Sequence, residues 1–178
     1  MLSPSLFKTL LHELTTRARS ARINEPDLVI NDPDELTAYT HAGREDGVMA
    51  PVYLFHCAQI CGVIRPVDTV VDLGCGPDTQ QAMVACLNPA CQFIGVDLSP
   101  DMLDRAREHA AEQALDNIEF RTEDITRLKS FPDQSVDALV STVALHHLPD
   151  VEALEIPFQR FIGYSNRAGE FTWQTSAT

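Results

Sequence analysis

Apolar positions along this chain follow two periods. Short runs rich in Val, Ile, Leu and Phe at 67–73, 92–96, 117–121 and 136–142 have strand length, with Gly, Pro, Asp or Asn at their borders. Between them the spacing turns helical. Residues 78–87 predict one helix. Residues 100–114 predict another, capped by Ser99, with Pro100 in the first turn and Met102, Leu103, Ala106, Ala110 and Ala111 on one face. Strands alternating with helices predict an α/β domain, a doubly wound, mostly parallel sheet flanked by helices and joined by right-handed crossovers.

The pattern before the first strand is different. In residues 3–22, Leu6, Phe7, Leu10, Leu11 and Leu14 recur at helical spacing behind Ser3 and Pro4, predicting an amphipathic helix that packs as core or lid. Residues 24–48 are acidic and broken by Pro26, Pro33, Gly43 and Gly47. They predict a loop around a short helical turn, suited to a lid, in which Tyr39, His41 and Arg44 could touch a ligand. Residues 49–65 are apolar most of the way round and end at Pro66, which predicts a helix buried against the sheet. The expected division is therefore an N-terminal helical or lid segment, 1–66, and a main domain, 67–178. After the fourth strand, 150–161 predict a last helix interrupted by Pro157, and 162–178 are polar without a strand pattern. The C-terminal part of the sheet is expected to be incomplete. Its fourth strand then lies near an edge that needs cover, for which a homo-oligomer is one means.

The strongest local signal joins the first two strands. Val70-Val71-Asp72-Leu73 runs into Gly74-Cys75-Gly76, and the second strand ends in Asp97. Glycine lets the backbone turn sharply and approach a ligand closely. An acid at the tip of the next strand can accept both hydroxyl protons of a ribose. Strand, glycine turn, helix, strand and acid make the first half of a nucleotide-binding unit. The net charge of −13, from 13 basic and 26 acidic residues, disfavours nucleic acid and anionic membranes as partners. Arg17, Arg19 and Arg22 read as a solvated helix face. Five cysteines form no CxxC pair and no zinc spacing. Cys57 and Cys61, beside His56, read as packed thiols, so no metal and a reduced, cytoplasmic setting are expected. No signal peptide is visible, and no apolar run approaches the ~18 residues of a membrane span.

Four segments, in order, resemble the class I S-adenosylmethionine-dependent methyltransferases. They are Val70-Val71-Asp72-Leu73-Gly74-Cys75-Gly76-Pro77, then Phe93-Ile94-Gly95-Val96-Asp97-Leu98-Ser99, then Glu123-Asp124-Ile125, then FPDQSVDALVSTVALHHL at 131–148. The resemblance spans about 67–150. It implies a Rossmann-like fold, S-adenosyl-L-methionine as cofactor and methyl transfer to a small-molecule acceptor. By the same resemblance, Gly74, Cys75 and Gly76 would pass the methionine part, Asp72 would hold its amino group, and Asp97 both ribose hydroxyls. Leu98 and Met102 would lie along the adenine or ribose. Asp124 would accept from the adenine amino group, with Ile125 on a ring face. Ser141 would line the pocket near the reacting methyl. His146 is the candidate general base, with His147 beside it; both also read as structural residues or as walls of the acceptor pocket.

The chain departs from that family in three ways. Asp78 stands where the turn commonly has a third glycine, and would either cap the following helix or repel the cofactor carboxylate. Residues 151–178 show no fifth strand and no glycine turn before one. The chain is also short for the family. A truncated, inactive or partner-dependent methyltransferase-like protein is therefore the alternative expectation. An NAD(P)-dependent oxidoreductase fits less well: position 79 is Thr instead of the third glycine of G-x-G-x-x-G. Nor does a Tyr-x-x-x-Lys pair follow Tyr39, Tyr53 or Tyr164.

Overall fold

The computed structural model describes residues 29–148, apart from 31, 45, 133 and 134, together with Ala153. The amphipathic stretch 3–22, the expected helix at 150–161 (Ala153 aside) and the polar tail lie outside the described residues. Four strands form one sheet: β1 (Thr69–Leu73), β2 (Gln92–Asp97), β3 (Ile118–Thr122) and β4 (Ala138–Val140). Their order is β3-β2-β1-β4, and every pairing is parallel. The helices are α1 (Pro33–Gly43), α2 (Ala50–Val63), α3 (Thr79–Leu87) and α4 (Pro100–Glu112), with a 3-10 turn at Leu145–His147. The expected order of strand and helix from the first strand onward is the order observed.

β1 is central, with Val70, Val71 and Leu73 each 1% exposed. A strand covered on both faces reads as nearly continuous apolar sequence, and this one does. On one face Val70 and Phe93 pack with Cys57 and Ile64 and with Val84 and Ala85 of α3. On the other, Val71, Leu73, Ile94 and Val96 pack with Ile125, Leu128, Phe131, Val136 and Leu148. α4 lies against β3 and β2. Its start is capped by Ser99, whose side chain accepts from the Met102 N–H at 3.3 Å.

Three elements differ from expectation. The acidic stretch holds an 11-residue helix, α1, where a short turn was expected. Asp32 caps it by accepting from the Asp34 and Glu35 N–H groups at 2.8 and 3.0 Å, and Pro33 takes the first position. The Asp-Pro pair is thus a helix start where it reads as a breaker. Second, α2 is not enclosed against the sheet. Only the stripe of Cys57, Ile60 and Cys61, with Ile64 after it, joins the core, while Leu54 and Phe55 are 56% and 54% exposed. Its apolar composition exceeds the surface that α3 and the sheet offer. Third, β4 is three residues long; at Asp137, just before it, the backbone N–H donates to the Thr69 carbonyl and the carboxylate accepts from the Thr69 N–H, each at 2.9 Å.

Asn117 locks β3 to the loop before β2. Its amide donates towards the carbonyls of Ala85, Asn88 and Cys91 at 3.2, 3.3 and 3.2 Å, and the residue is 6% exposed. Removing one partner of a buried hydrogen bond leaves the other unsatisfied. Asn117→Ala is expected to cost about 1–3 kcal/mol in urea unfolding at an unchanged denaturant slope; a loss below about 0.5 kcal/mol would count against this lock.

Candidate functional site

The backbone reverses at the C-terminal end of β1. Gly74 has φ +74°, Gly76 +54° and Asp78 +59°, three left-handed residues within five. The Gly74 and Cys75 N–H groups both donate to the Val96 carbonyl, at 2.8 and 3.1 Å. A Cβ on Gly74 would stand 2.3 Å from the Ala144 Cβ, so both the space and the dihedral require glycine there. The turn then delivers the chain into α3.

Two strand-end acids flank this turn. Asp97, closing β2, accepts from the Gly76 N–H with Oδ2 and from the Ser99 N–H with Oδ1, each at 2.9 Å. One carboxylate therefore ties the turn after β1 to the start of α4, and keeps acceptor capacity on both oxygens. Asp72 pairs in register with Gly95 and is 5% exposed; its Oδ1 has no partner among the described residues. Burial, then the nearby Asp97, pushes the Asp72 carboxyl up from 3.8 to about 7. Cys75, half-buried, has its thiol held well above the usual range by desolvation and then by Asp78, Asp72 and Asp97.

Asp78 sits at the N-cap position of α3, but its side chain makes no capping hydrogen bond. Of the two readings of Asp78, the helix cap is therefore not observed; its backbone is left-handed. It is 1% exposed, and neither oxygen has a hydrogen-bond partner among the described residues.

α1 covers the turn. The Tyr39 ring lies 3.7 Å from where a Gly76 Cβ would stand, and its hydroxyl is hydrogen-bonded with that of Tyr53 on α2. Burial raises both phenols; Asp97 adds to the effect on Tyr39, and Tyr39 and Asp72 to that on Tyr53. Burial, then Asp72, holds the Asp78 carboxyl well above its ordinary range, and the charge of Arg44, just past α1, offsets part of this. Tyr53 escaped the sequence reading, since nothing in an apolar helix marks one tyrosine as facing Asp72. His41 is exposed on α1.

The remaining candidates divide. Ser141 Oγ donates to the Leu73 carbonyl at 2.7 Å, fastening the ends of β4 and β1 together beside the turn. Leu98 is 39% exposed, Met102 5%. Asp124 Oδ1 accepts from the Thr126 N–H and hydroxyl at 2.9 and 2.6 Å, and its Oδ2 lies 3.3 Å from Arg127 Nε. Ile125 belongs to the core at 8% exposure, which leaves a ring little of its surface. His146 is exposed on the 3-10 turn, its ring centroid 3.9 Å from that of His147. Gln80 Nε2 donates to Thr142 Oγ1 at 2.9 Å, a tie between α3 and the loop after β4 that no motif announces.

The chain belongs to the methyltransferase-domain family, whose model matches residues 64–174, and its class is that of the S-adenosylmethionine-dependent class I enzymes. It is 35% identical over 88 residues to an arsenite methyltransferase of Halobacterium salinarum, a match covering 49% of this chain and 22% of that protein. It is 37% identical over 87 residues to a trans-aconitate 2-methyltransferase of Escherichia coli O157:H7, covering 49% of this chain and 32% of that one. The matched stretch is thus a third or less of either relative. A solved S-adenosylmethionine-dependent methyltransferase of Aquifex aeolicus superposes with TM-score 0.58 at 19% identity, over 74% of this chain and 67% of that one, and so shares the fold. Among the described residues no helix is long and apolar enough to cross a membrane.

Asp72 makes a pH signature. A carboxyl raised from 3.8 to about 7 in the folded state favours folding fully below about pH 4 and loses that contribution as pH rises through about 7. Measured as melting temperature, the ligand-free protein is expected to lose more stability from pH 5 to pH 8 than Asp72→Asn does. Parallel profiles would argue against a buried, unpartnered carboxyl at this position.

Proposed function

We propose that this chain transfers the methyl group of S-adenosyl-L-methionine to a small-molecule acceptor. The observation carrying this reading is the glycine turn between Asp72 and Asp97, on adjacent strand ends inside the family match. The residues fit the cofactor chemically. Its amino group needs a buried acceptor, and Asp72 Oδ1 is one without a partner. Its ribose diol needs a carboxylate that is fixed in place yet able to accept more, and Asp97 is held by two backbone N–H groups. Gly74, Cys75 and Gly76 offer a backbone wall beside the methionine part. Leu98 and Met102 would flank the adenosine, Asp124 would accept from the adenine amino group with what surface Ile125 leaves beside it, and Ser141 would line the pocket near the methyl.

When bound, the cofactor supplies an activated methyl on its sulfonium. The chain's task is to hold the acceptor atom in line with the methyl–sulfur bond and to exclude water. The 1–66 segment acts as the lid over domain 67–178, a role supported by Tyr39 packing over Gly76. His146, exposed beyond β4, takes the acceptor's proton where the acceptor carries one. The net charge of −13 supports a small molecule over a nucleic acid. Asp78 favours a second reading, a fold of this family with weak or no cofactor binding, because an acid occupies the usual small-residue position of the turn.

Calorimetric titration with S-adenosyl-L-methionine separates the two. At 100 times the dissociation constant, binding should stabilise the fold by about 2.7 kcal/mol. Asp97→Ala is expected to weaken binding by about 100-fold, for two lost charge-assisted hydrogen bonds. No thermal shift at millimolar cofactor would sink the methyl-transfer reading, and full affinity in Asp97→Ala would sink the assignment of the diol.

A further inference from the structure

The start of α3 gathers buried polar atoms that lack partners among the described residues. They include both Asp78 oxygens, Asp72 Oδ1, Thr79 Oγ1, Gln80 Oε1 and Arg44 Nη1. Interior polar groups are nearly always satisfied, so such a cluster marks a place built for something polar. Asp72 and Gln81 line a void of about 10 Å³, room for one water at most. Asp78 does not line that void. It is 1% exposed, stands directly after the glycine turn, and interacts electrostatically with Asp72 and Arg44.

We propose that Asp78 is a cofactor-positioning residue, which with Asp72 forms a two-acid seat for the ammonium group at the amino-acid end of S-adenosyl-L-methionine. This rests on the methyl-transfer reading above and adds a residue to it. The charges support it. Arg44 is the cation that acts on Asp78, and the ammonium group supplies a second. The position supports it too, because the turn that brings the backbone past the methionine part ends at Asp78. Burial, then Asp72, holds the Asp78 carboxyl well above its ordinary range in the ligand-free chain, and Arg44 offsets part of this. An incoming ammonium group relieves that repulsion. A cap for α3 would not need the charge, and the side chain caps nothing.

The test compares two nucleosides that differ at the amino-acid end. S-adenosylhomocysteine carries it, and 5′-methylthioadenosine lacks it. Both are titrated calorimetrically into wild type, Asp78→Asn and Asp78→Gly. Glycine suits the backbone φ of +59° at this site, so the second variant keeps the experiment decisive if the first folds poorly. Each variant is expected to bind S-adenosylhomocysteine about tenfold or more weakly, the scale of one hydrogen bond to a charged group, and methylthioadenosine within about twofold of wild type. Without ligand, both variants should melt higher than wild type. Unchanged or tighter binding of S-adenosylhomocysteine by the variants overturns the seat, and so does an equal loss for both nucleosides. If wild type binds neither nucleoside, the methyl-transfer reading fails, and the seat with it.

Discussion

The tight reversal after β1 is the constraint on which the site depends. Two successive N–H groups, from Gly74 and Cys75, share the Val96 carbonyl, which pulls the turn across the end of β2. Ala144 presses against Gly74 from the loop after β4, so the turn is wedged from both neighbouring strands. Asp97 then takes the Gly76 N–H and the Ser99 N–H together. The same carboxylate that would meet a ribose is therefore already a strut of the fold. Binding needs little rearrangement where the acceptors are fixed by the backbone they hold, and preorganisation of this kind lowers the cost of association.

That arrangement concentrates acids in a place that disfavours them. Asp72, Asp78 and Asp97 come together with the Cys75 thiol, and burial acts first on Asp72, Asp78 and Cys75. The stability needed to hold them comes from elsewhere. One apolar cluster ties β1 and β2 to Ile125, Leu128, Phe131 and Leu148; the other ties Val70 and Phe93 to α2 and α3. The division is physical. The apolar layers carry the fold, and the carboxyl end of the sheet holds the groups that would interact better with a ligand than with each other.

The sheet was legible because its strands are short apolar runs with turn residues at each border, and because burial on both faces leaves few alternatives to a parallel sheet. The glycine turn was legible because a sharp reversal with close backbone packing needs glycine, and Asp97 stood out as an acid at the end of an apolar run. α1 was not. Its apolar positions are few, and Asp32-Pro33 at a helix start looks like Asp-Pro in a loop; Leu36, Thr40 and Gly43, buried four and three apart, are too weak a stripe to stand out. The exposure of α2 was hidden for the opposite reason, since uniform apolarity does not say which side has a partner. Tyr53 reaches the site through tertiary packing, which period and motif do not encode, whereas Tyr39 and Arg44 stand in the acidic stretch read as a lid.

Asp78 separates backbone need from side-chain chemistry. Aspartate and asparagine are the residues other than glycine that tolerate left-handed φ best, so +59° alone does not select an acid. Asparagine would satisfy the same backbone without a buried charge to desolvate, and glycine without either. An aspartate at 1% exposure, with no cap bond and with Asp72 close enough to raise it, is the least favourable of the three for the ligand-free fold. Only a cation changes that order. Arg44 is one, half-buried at the end of α1, and it offsets only part of the effect. A second positive group, such as the ammonium of a zwitterionic ligand at the mouth of the turn, would complete the local balance.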